Sequence, residues 1–104
     1  MGSVTYLASE RGNRRWPKKL WREALGEIFR EARHERGERL SDVAHRAGVS
    51  PQYLSEVERG MKDPSSEILH AVSGALGLAT SDVARRAANR VECTVRYNIT
   101  GLAA

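Results

Sequence analysis

Four polar side chains in the segment AGVSPQYLSEVERG, residues 47–60, have the chemistry to read another molecule through hydrogen bonds. If the segment is helical at about 100° per residue, Glu56 and Arg59 lie within about 40° of Gln52, and Ser55 lies about 60° away. The two aliphatic residues of this helix then point to its opposite side. The spacing therefore predicts a helix that is held by few apolar anchors and presents a polar stripe outward.

The side chains of this stripe match the hydrogen-bonding groups on nucleobases. An amide such as Gln52 can bond adenine N6 and N7, and a carboxylate such as Glu56 can accept a hydrogen bond from cytosine N4. Arg59 is better suited to the phosphate backbone, which positions a protein without specifying sequence. For Glu56 and Arg59 the alternative is a mutual surface pair at i, i+3.

A glycine turn and strong capping residues delimit the helix that carries the stripe. Gly48 suits the positive φ of a tight turn, Ser50 is a good N-cap, and Pro51 is preorganised for the first helical position. Gly60 ends the helix, and a shorter helix from about Leu40 to Arg46 precedes it. Two short helices around a glycine turn form a helix-turn-helix, whose second helix enters the major groove of DNA.

Three further helices are predicted around this motif. The first follows Pro17, the fourth is capped by Ser65, and the fifth is capped by Thr80 or Ser81. The predicted fold class is therefore all-α, a five-helix domain. The apolar positions of the first helix recur at i, i+4, i+7, i+8 and i+11, namely Trp21, Leu25, Ile28, Phe29 and Ala32.

The charge is concentrated at the start of the chain. The 104 residues carry a net charge of +4, yet residues 1–22 alone hold six basic residues against Glu10. We interpret residues 1–19 as a flexible basic arm that suits a polyanionic partner, with a merely solvated tail as the alternative. The candidate DNA-binding side chains of this arm are Arg14, Arg15, Lys18 and Lys19.

The segment VECTVRYNI, residues 91–99, alternates apolar and polar residues, which is typical of a half-buried strand. A frayed tail is the alternative. The predicted organisation is thus an arm at 1–19, a helix-turn-helix domain at 20–90 and a tail at 91–104. The fifth helix and the tail are the apolar surfaces left for self-association.

Catalysis is not indicated. His34, His45 and His70 lie on separate predicted helices without metal-ligand spacing, and Cys93 has no CxxC partner. No glycine-rich phosphate loop follows a strand. We therefore expect no enzyme activity, no metal and no cofactor. Since no apolar run reaches the length of a membrane span, we expect a cytoplasmic, nucleoid-associated protein without membrane contact.

The segment LSDVAHRAGVSPQYLSEVERGMKDPSSEILHAVSGALGL resembles the Cro/repressor-type (XRE) helix-turn-helix family over its whole length. Within it, SPQYLSEVERGMKDPSSEIL is similar to the actinobacterial ClgR/PopR regulators of Clp protease genes. The resemblance implies a sequence-specific DNA-binding transcriptional regulator that controls Clp protease and proteostasis genes. Because one domain of this size covers few base pairs, we expect a homodimer on a palindromic operator. An antitoxin-like or anti-repressor protein-interaction module of the same fold is the alternative.

The resemblance assigns roles to individual positions. Ser50, Gln52 and Glu56 match positions that contact bases or phosphate, and the helical geometry adds Ser55. Pro51 and Leu40 depart from the family pattern, so two customary contacts are in doubt, and Arg39 is the candidate replacement for the phosphate contact at Leu40. The candidate phosphate-binding residues are Arg39, Arg46, Tyr53, Arg59 and Lys62.

The last residues, Leu102, Ala103 and Ala104, resemble the small apolar C-terminus that marks proteins for Clp proteolysis. Recognition by Clp protease is therefore an expectation, with a plain disordered end as the alternative.

Overall fold

The computed structural model describes residues 19–103, with side chains for residues 19–91. Five helices make up this part of the chain, which contains no strand, as the predicted all-α class requires. The helices follow one another through short connections: α1 Trp21–Glu35, α2 Leu40–Ala47, α3 Pro51–Glu58, α4 Ser66–Ala75 and α5 Thr80–Ala103. No helix in the described part of the chain combines the length and hydropathy that a membrane span needs.

The predicted helix-turn-helix is present with its capping residues in place. Gly48 has φ 76° in the turn after α2, and Pro51 is the first residue of α3. The Ser50 hydroxyl accepts a hydrogen bond from the backbone N–H of Tyr53 at 3.0 Å. The start of α3 is therefore set by local sequence chemistry, as predicted.

The core lies between the five helices, where α1 packs against α3 and α5, and α2 packs against α3 and α4. Its largest fully buried apolar side chains come from all five helices: Leu25, Phe29, Val43, Leu54, Val57, Val72 and Val83. The spacing predicts Trp21 on the core face of α1, but its position in the first turn leaves it 40% exposed.

The backbones of α1 and α3 come very close together at Gly26. A Cβ built on Gly26 would lie 2.4 Å from the carbonyl oxygen of Val57 and 2.7 Å from that of Glu58. A side-chain carbon cannot approach other atoms so closely, and backbone carbonyl groups cannot move aside as the end of a flexible side chain could. Gly26 is therefore required for close packing, which outweighs its cost in a helix.

The strand predicted for residues 91–99 is not found, because the backbone of this segment continues α5. The physical reason lies in the pattern itself. Val91, Val95 and Ile99 are spaced by four residues, so they fit a helix as well as a strand. A helix satisfies its backbone groups internally, whereas a strand needs a partner. The predicted domain boundary after residue 90 falls inside this helix.

The predicted basic arm falls almost entirely on residues 1–18, which lie outside the described residues, as does Ala104.

Replacing Gly26 by Ala should lower the free energy of unfolding by about 1–3 kcal/mol, because the added methyl group forces two backbones apart. Urea denaturation followed by circular dichroism measures this change. Gly74→Ala is the matched control, since a Cβ at Gly74 in α4 meets no atom within 4 Å. That substitution should instead stabilise the protein by about 0.5–1 kcal/mol. Equal effects of the two substitutions would contradict the close approach.

Candidate nucleic-acid interface

The outer face of α3 carries the predicted base-reading side chains. Gln52 is exposed and Ser55 and Glu56 are half-buried, whereas Leu54 and Val57 are fully buried. The helix therefore has one face in the core and one face toward solvent, as its spacing predicted.

Hydrogen-bonding capacity on this face is unused. Within residues 19–91 the side chains of Gln52, Glu56 and Arg59 form no hydrogen bond or ion pair. The surface pair between Glu56 and Arg59 that the spacing allowed is thus not formed. These amide, carboxylate and guanidinium groups are free to meet groups on another molecule.

Ser50 has a structural task at the start of the same face. Its Oγ accepts the Tyr53 N–H, so one acceptor position is used by the cap while the hydroxyl proton remains available as a donor. A donor at this position suits a phosphate oxygen as well as a base acceptor. Tyr53 itself is half-buried against the core.

A buried ion pair supports α3 from behind. Arg33 of α1 donates to both carboxylate oxygens of Glu58, with Nε–Oε2 at 2.8 Å and Nη2–Oε1 at 2.9 Å. Glu58 is only 9% exposed, and this hydrogen bond raises the pKa of Arg33. Sequence reasoning missed this pair, although a signal existed: Glu58 follows the buried Leu54 by four residues and so shares its face.

The candidate phosphate-binding residues fall into two groups. Arg59 and Lys62 are exposed and form no ion pair within residues 19–91. Arg39 is also exposed, and its contact with Asp42 is long at 3.4 Å. An exposed pair of this kind contributes little and can exchange partners.

Arg46 is held by contacts within the protein. Its Nη2 lies 2.7 Å from both the carbonyl oxygen of Ala75, at the end of α4, and Oε1 of Glu38, and its Nε lies 3.2 Å from the same carbonyl. Arg46 thus joins α2 to the C-terminal end of α4, where a cation is favoured by the helix dipole. A phosphate contact would have to use its remaining Nη1.

Lys19 marks the point where the predicted arm meets the described chain. Its ammonium group pairs with Glu27 of α1. The other three candidate arm residues, Arg14, Arg15 and Lys18, lie outside the described residues.

A family model described as helix-turn-helix matches residues 29–83, which include every predicted base- and phosphate-binding position from Arg39 to Lys62. The chain belongs to the helix-turn-helix family. The predicted resemblance to the XRE type is therefore confirmed.

The relatives sharpen this placement. The transcriptional regulator ClgR of Mycobacterium tuberculosis (strain ATCC 25618 / H37Rv) is 47% identical over 72 residues, which are 69% of this chain and 64% of that protein. The crystal structure of the clp gene regulator ClgR from Corynebacterium glutamicum superposes with a TM-score of 0.72 at 40% identity, over 84% of this chain and 93% of that one. The regulator SinR of Bacillus subtilis is 38% identical over 56 residues, 53% of this chain and 50% of that protein.

The chain spans 64% of the length of the curated ClgR relative. Because the matched family model is a helix-turn-helix and the relatives above are named as regulators, the prediction that the chain is not an enzyme is confirmed.

The ionised carboxylate of Glu38 should stabilise the fold in a pH-dependent way. The hydrogen bond from Arg46, followed by that from Arg36, lowers the pKa of Glu38 from 4.5 to about 2. Its ionised form therefore stabilises the fold above pH 4.5, and this contribution is lost as the pH falls toward about 2. Between these values the free energy of unfolding should fall more steeply for the wild type than for Glu38→Gln, as measured by urea denaturation at each pH. Parallel profiles would contradict the assignment.

Proposed function

We propose that this protein is a sequence-specific DNA-binding transcriptional regulator of ClgR type, which acts in the cytoplasm at the nucleoid on Clp protease genes. The observation that carries the proposal is the exposed face of α3, where Gln52 and Glu56 have no partner among the described residues. The name of the Corynebacterium glutamicum relative, a clp gene regulator, supports the choice of target genes.

In the proposed complex α3 lies in the major groove. Gln52 bonds an adenine, and Glu56 accepts from a cytosine, with about 1–3 kcal/mol of discrimination for each good pair. Ser50 and Ser55 add hydroxyl groups at the start and along the flank of the same face. Pro51 at the first helical position has no hydrogen-bonding side chain, so the bases nearest the helix start are read less strictly.

Phosphate contacts fix the register of α3 in the groove. Arg59 and Lys62 follow the end of α3, whereas Arg39 precedes α2 and Tyr53 lies on α3 itself. Cations at both ends of the helix-turn-helix can therefore bind two stretches of the DNA sugar–phosphate backbone while α3 lies in the groove between them. Arg46 is the least available member of the set, because Glu38 and the Ala75 carbonyl occupy it.

We further propose a homodimer on a palindromic operator. An eight-residue recognition helix reads few base pairs, so a second copy is needed for useful specificity, and the half-sites would lie about 34–36 Å apart. α5 is 24 residues long, about 36 Å, and extends well beyond what is needed to close the core. Recognition of Leu102, Ala103 and Ala104 by Clp protease stays a prediction.

Selection of duplexes from a random pool by the wild-type chain tests this function. The enriched sequences should form an inverted repeat with half-site centres one helical turn apart. A mobility shift on the chain's own promoter and on clp promoters should show the same preference. Absence of a shift, together with a co-purifying stoichiometric protein, would favour an antitoxin-like interaction module instead.

On the selected operator, Gln52→Ala should weaken binding by about 1–3 kcal/mol and relax preference at one base pair, with the salt dependence unchanged. Lys62→Gln is the matched comparison from the phosphate set. It should weaken binding to all duplexes alike and reduce the slope of log K against log[salt] by about 0.9. Fluorescence anisotropy at several salt concentrations separates the two. Identical salt slopes in both variants would contradict the division of roles.

The arm can be tested by removing residues 1–18, which leaves the Lys19–Glu27 pair in place. If the arm binds phosphates or enters the minor groove, the slope of log K against log[salt] should flatten by about 0.9 for each phosphate that is no longer neutralised. A full-length variant with Arg14, Arg15 and Lys18 replaced by Gln controls for length. An unchanged slope in both would exclude a role for the arm.

A further inference from the structure

The N-terminal turn of α1 lies beside the C-terminal end of α3. Arg22 donates from Nε to the carbonyl oxygen of Gly60 at 3.0 Å. A Cβ built on Gly60 would lie 3.2 Å from the Cα of Glu23, so the two backbones are closely packed at this point. The first turn of α1 and the residues that follow α3 are therefore in direct contact.

The large apolar side chains that the described residues leave exposed are grouped at this junction. Leu20 and Trp21, in the turn that carries Arg22, are 41% and 40% exposed, and Met61, which follows Gly60, is 60% exposed. Isolated exposed apolar residues need no explanation, but three at one junction indicate a covered surface.

Cations are close neighbours of these apolar residues in the chain. Arg22, Arg59 and Lys62 lie within three positions of Leu20, Trp21 or Met61 in the chain, and none pairs with a carboxylate among residues 19–91. The nearby carboxylate of Glu23 accepts the Leu20 backbone N–H at 2.9 Å. Asp63 follows Lys62 and is exposed, which leaves an excess of positive charge. We name Leu20, Trp21, Arg22, Arg59, Met61 and Lys62 the α1–α3 edge.

We propose that the α1–α3 edge binds the sugar–phosphate backbone of DNA that flanks the bases read by α3. The inference rests on the proposed function and adds Arg22 and Trp21 to its contacts. Phosphate groups match the unpaired cations, and the apolar side chains match the carbon faces of deoxyribose. The hydrogen bond to Gly60 fixes the Arg22 guanidinium, so its two Nη groups are oriented in advance and lose little freedom on binding.

Two features of the α1–α3 edge favour DNA over a protein partner: the edge adjoins the polar stripe of α3, and it is positively charged. Arg59 belongs both to the polar stripe of α3 and to the α1–α3 edge, so a duplex held by α3 must pass close to the edge. A protein that covered the edge would compete with the duplex for Arg59, and it would have to neutralise three cations.

Arg22→Gln in the full chain, compared with Arg30→Gln, tests the contact. Arg30 is an exposed cation of the same helix, two turns further on, beside a shallow cavity lined by Glu27, Glu31 and His34. With the selected operator, Arg22→Gln should reduce the slope of log K against log[salt] by about 0.9. The loss of affinity between 50 and 200 mM salt then becomes about 3.5-fold smaller than in the wild type. Arg30→Gln should leave the slope unchanged, and Arg22→Lys should restore it.

A purely structural role of Arg22 at the end of α3 gives a different result. Arg22→Gln would then lower the melting temperature and weaken binding by one factor at every salt concentration, with the slope of the wild type. That outcome overturns the inference while the proposed function stands. Failure of the wild-type chain to bind any duplex would instead overturn the proposed function and this inference together.

Trp21 provides a second readout. The chain has two tryptophans, so Trp16→Phe leaves Trp21 as its only indole fluorophore. Addition of operator duplex should quench or shift the Trp21 emission, and Arg22→Gln should reduce this change at a given duplex concentration. Emission that stays constant while anisotropy shows the duplex bound would overturn the proposed sugar contact.

Discussion

The interface depends on the close approach of α1 to the back of α3. At Gly26 the two backbones are so near that no other residue fits without a shift, and the Arg33–Glu58 pair forms beside this contact. A recognition helix that is held through its backbone and a buried ion pair needs few apolar side chains of its own. Leu54 and Val57 are its fully buried apolar side chains, and Gln52, Ser55 and Glu56 are left for a partner.

Several arginines connect the helices of this fold. Arg22 donates to the Gly60 carbonyl after α3, and Arg46 donates to the Ala75 carbonyl at the end of α4. Arg33 donates from Nη1 to the Glu38 carbonyl while its other nitrogens hold Glu58. Carbonyl oxygens at helix ends lack intrahelical partners, so a guanidinium there satisfies hydrogen bonds and complements the dipole. Because these arginines are used within the protein, the net charge of the chain is a poor measure of how many cations can contact DNA.

Local signals in the sequence were sufficient for most of the fold. Gly48, Ser50 and Pro51 act within a few positions of themselves, and the spacing of Leu54 and Val57 identified the buried face of α3. The contacts of Arg33 with Glu58 and of Arg46 with the Ala75 carbonyl could not be predicted from local signals, because the partners lie 25 and 29 residues away. Trp21 has the right spacing for the core but is the first residue of α1, and it is 40% exposed. At residues 91–99 the apolar residues fit both the two-residue period of a strand and the four-residue spacing of a helix. Only the fact that a strand needs a hydrogen-bonding partner favoured the helix.

The position of α1 between two other helices links the reading of bases to the proposed dimer. One side of α1 holds α3 through Gly26 and Arg33. The other side holds α5, since Arg90 donates to Glu27 at 2.9 Å and to Glu31 at 2.7 Å. Burial raises the pKa of Glu27, but hydrogen bonds from Lys19 and Arg90 outweigh it and lower the pKa, so the carboxylate remains ionised at neutral pH. In a dimer that forms through α5, each α3 would be connected to the dimer contact through α1. The distance between the two α3 helices would therefore be set by helix packing and not by flexible loops. A fixed separation is what allows a pair of short helices to select one half-site spacing.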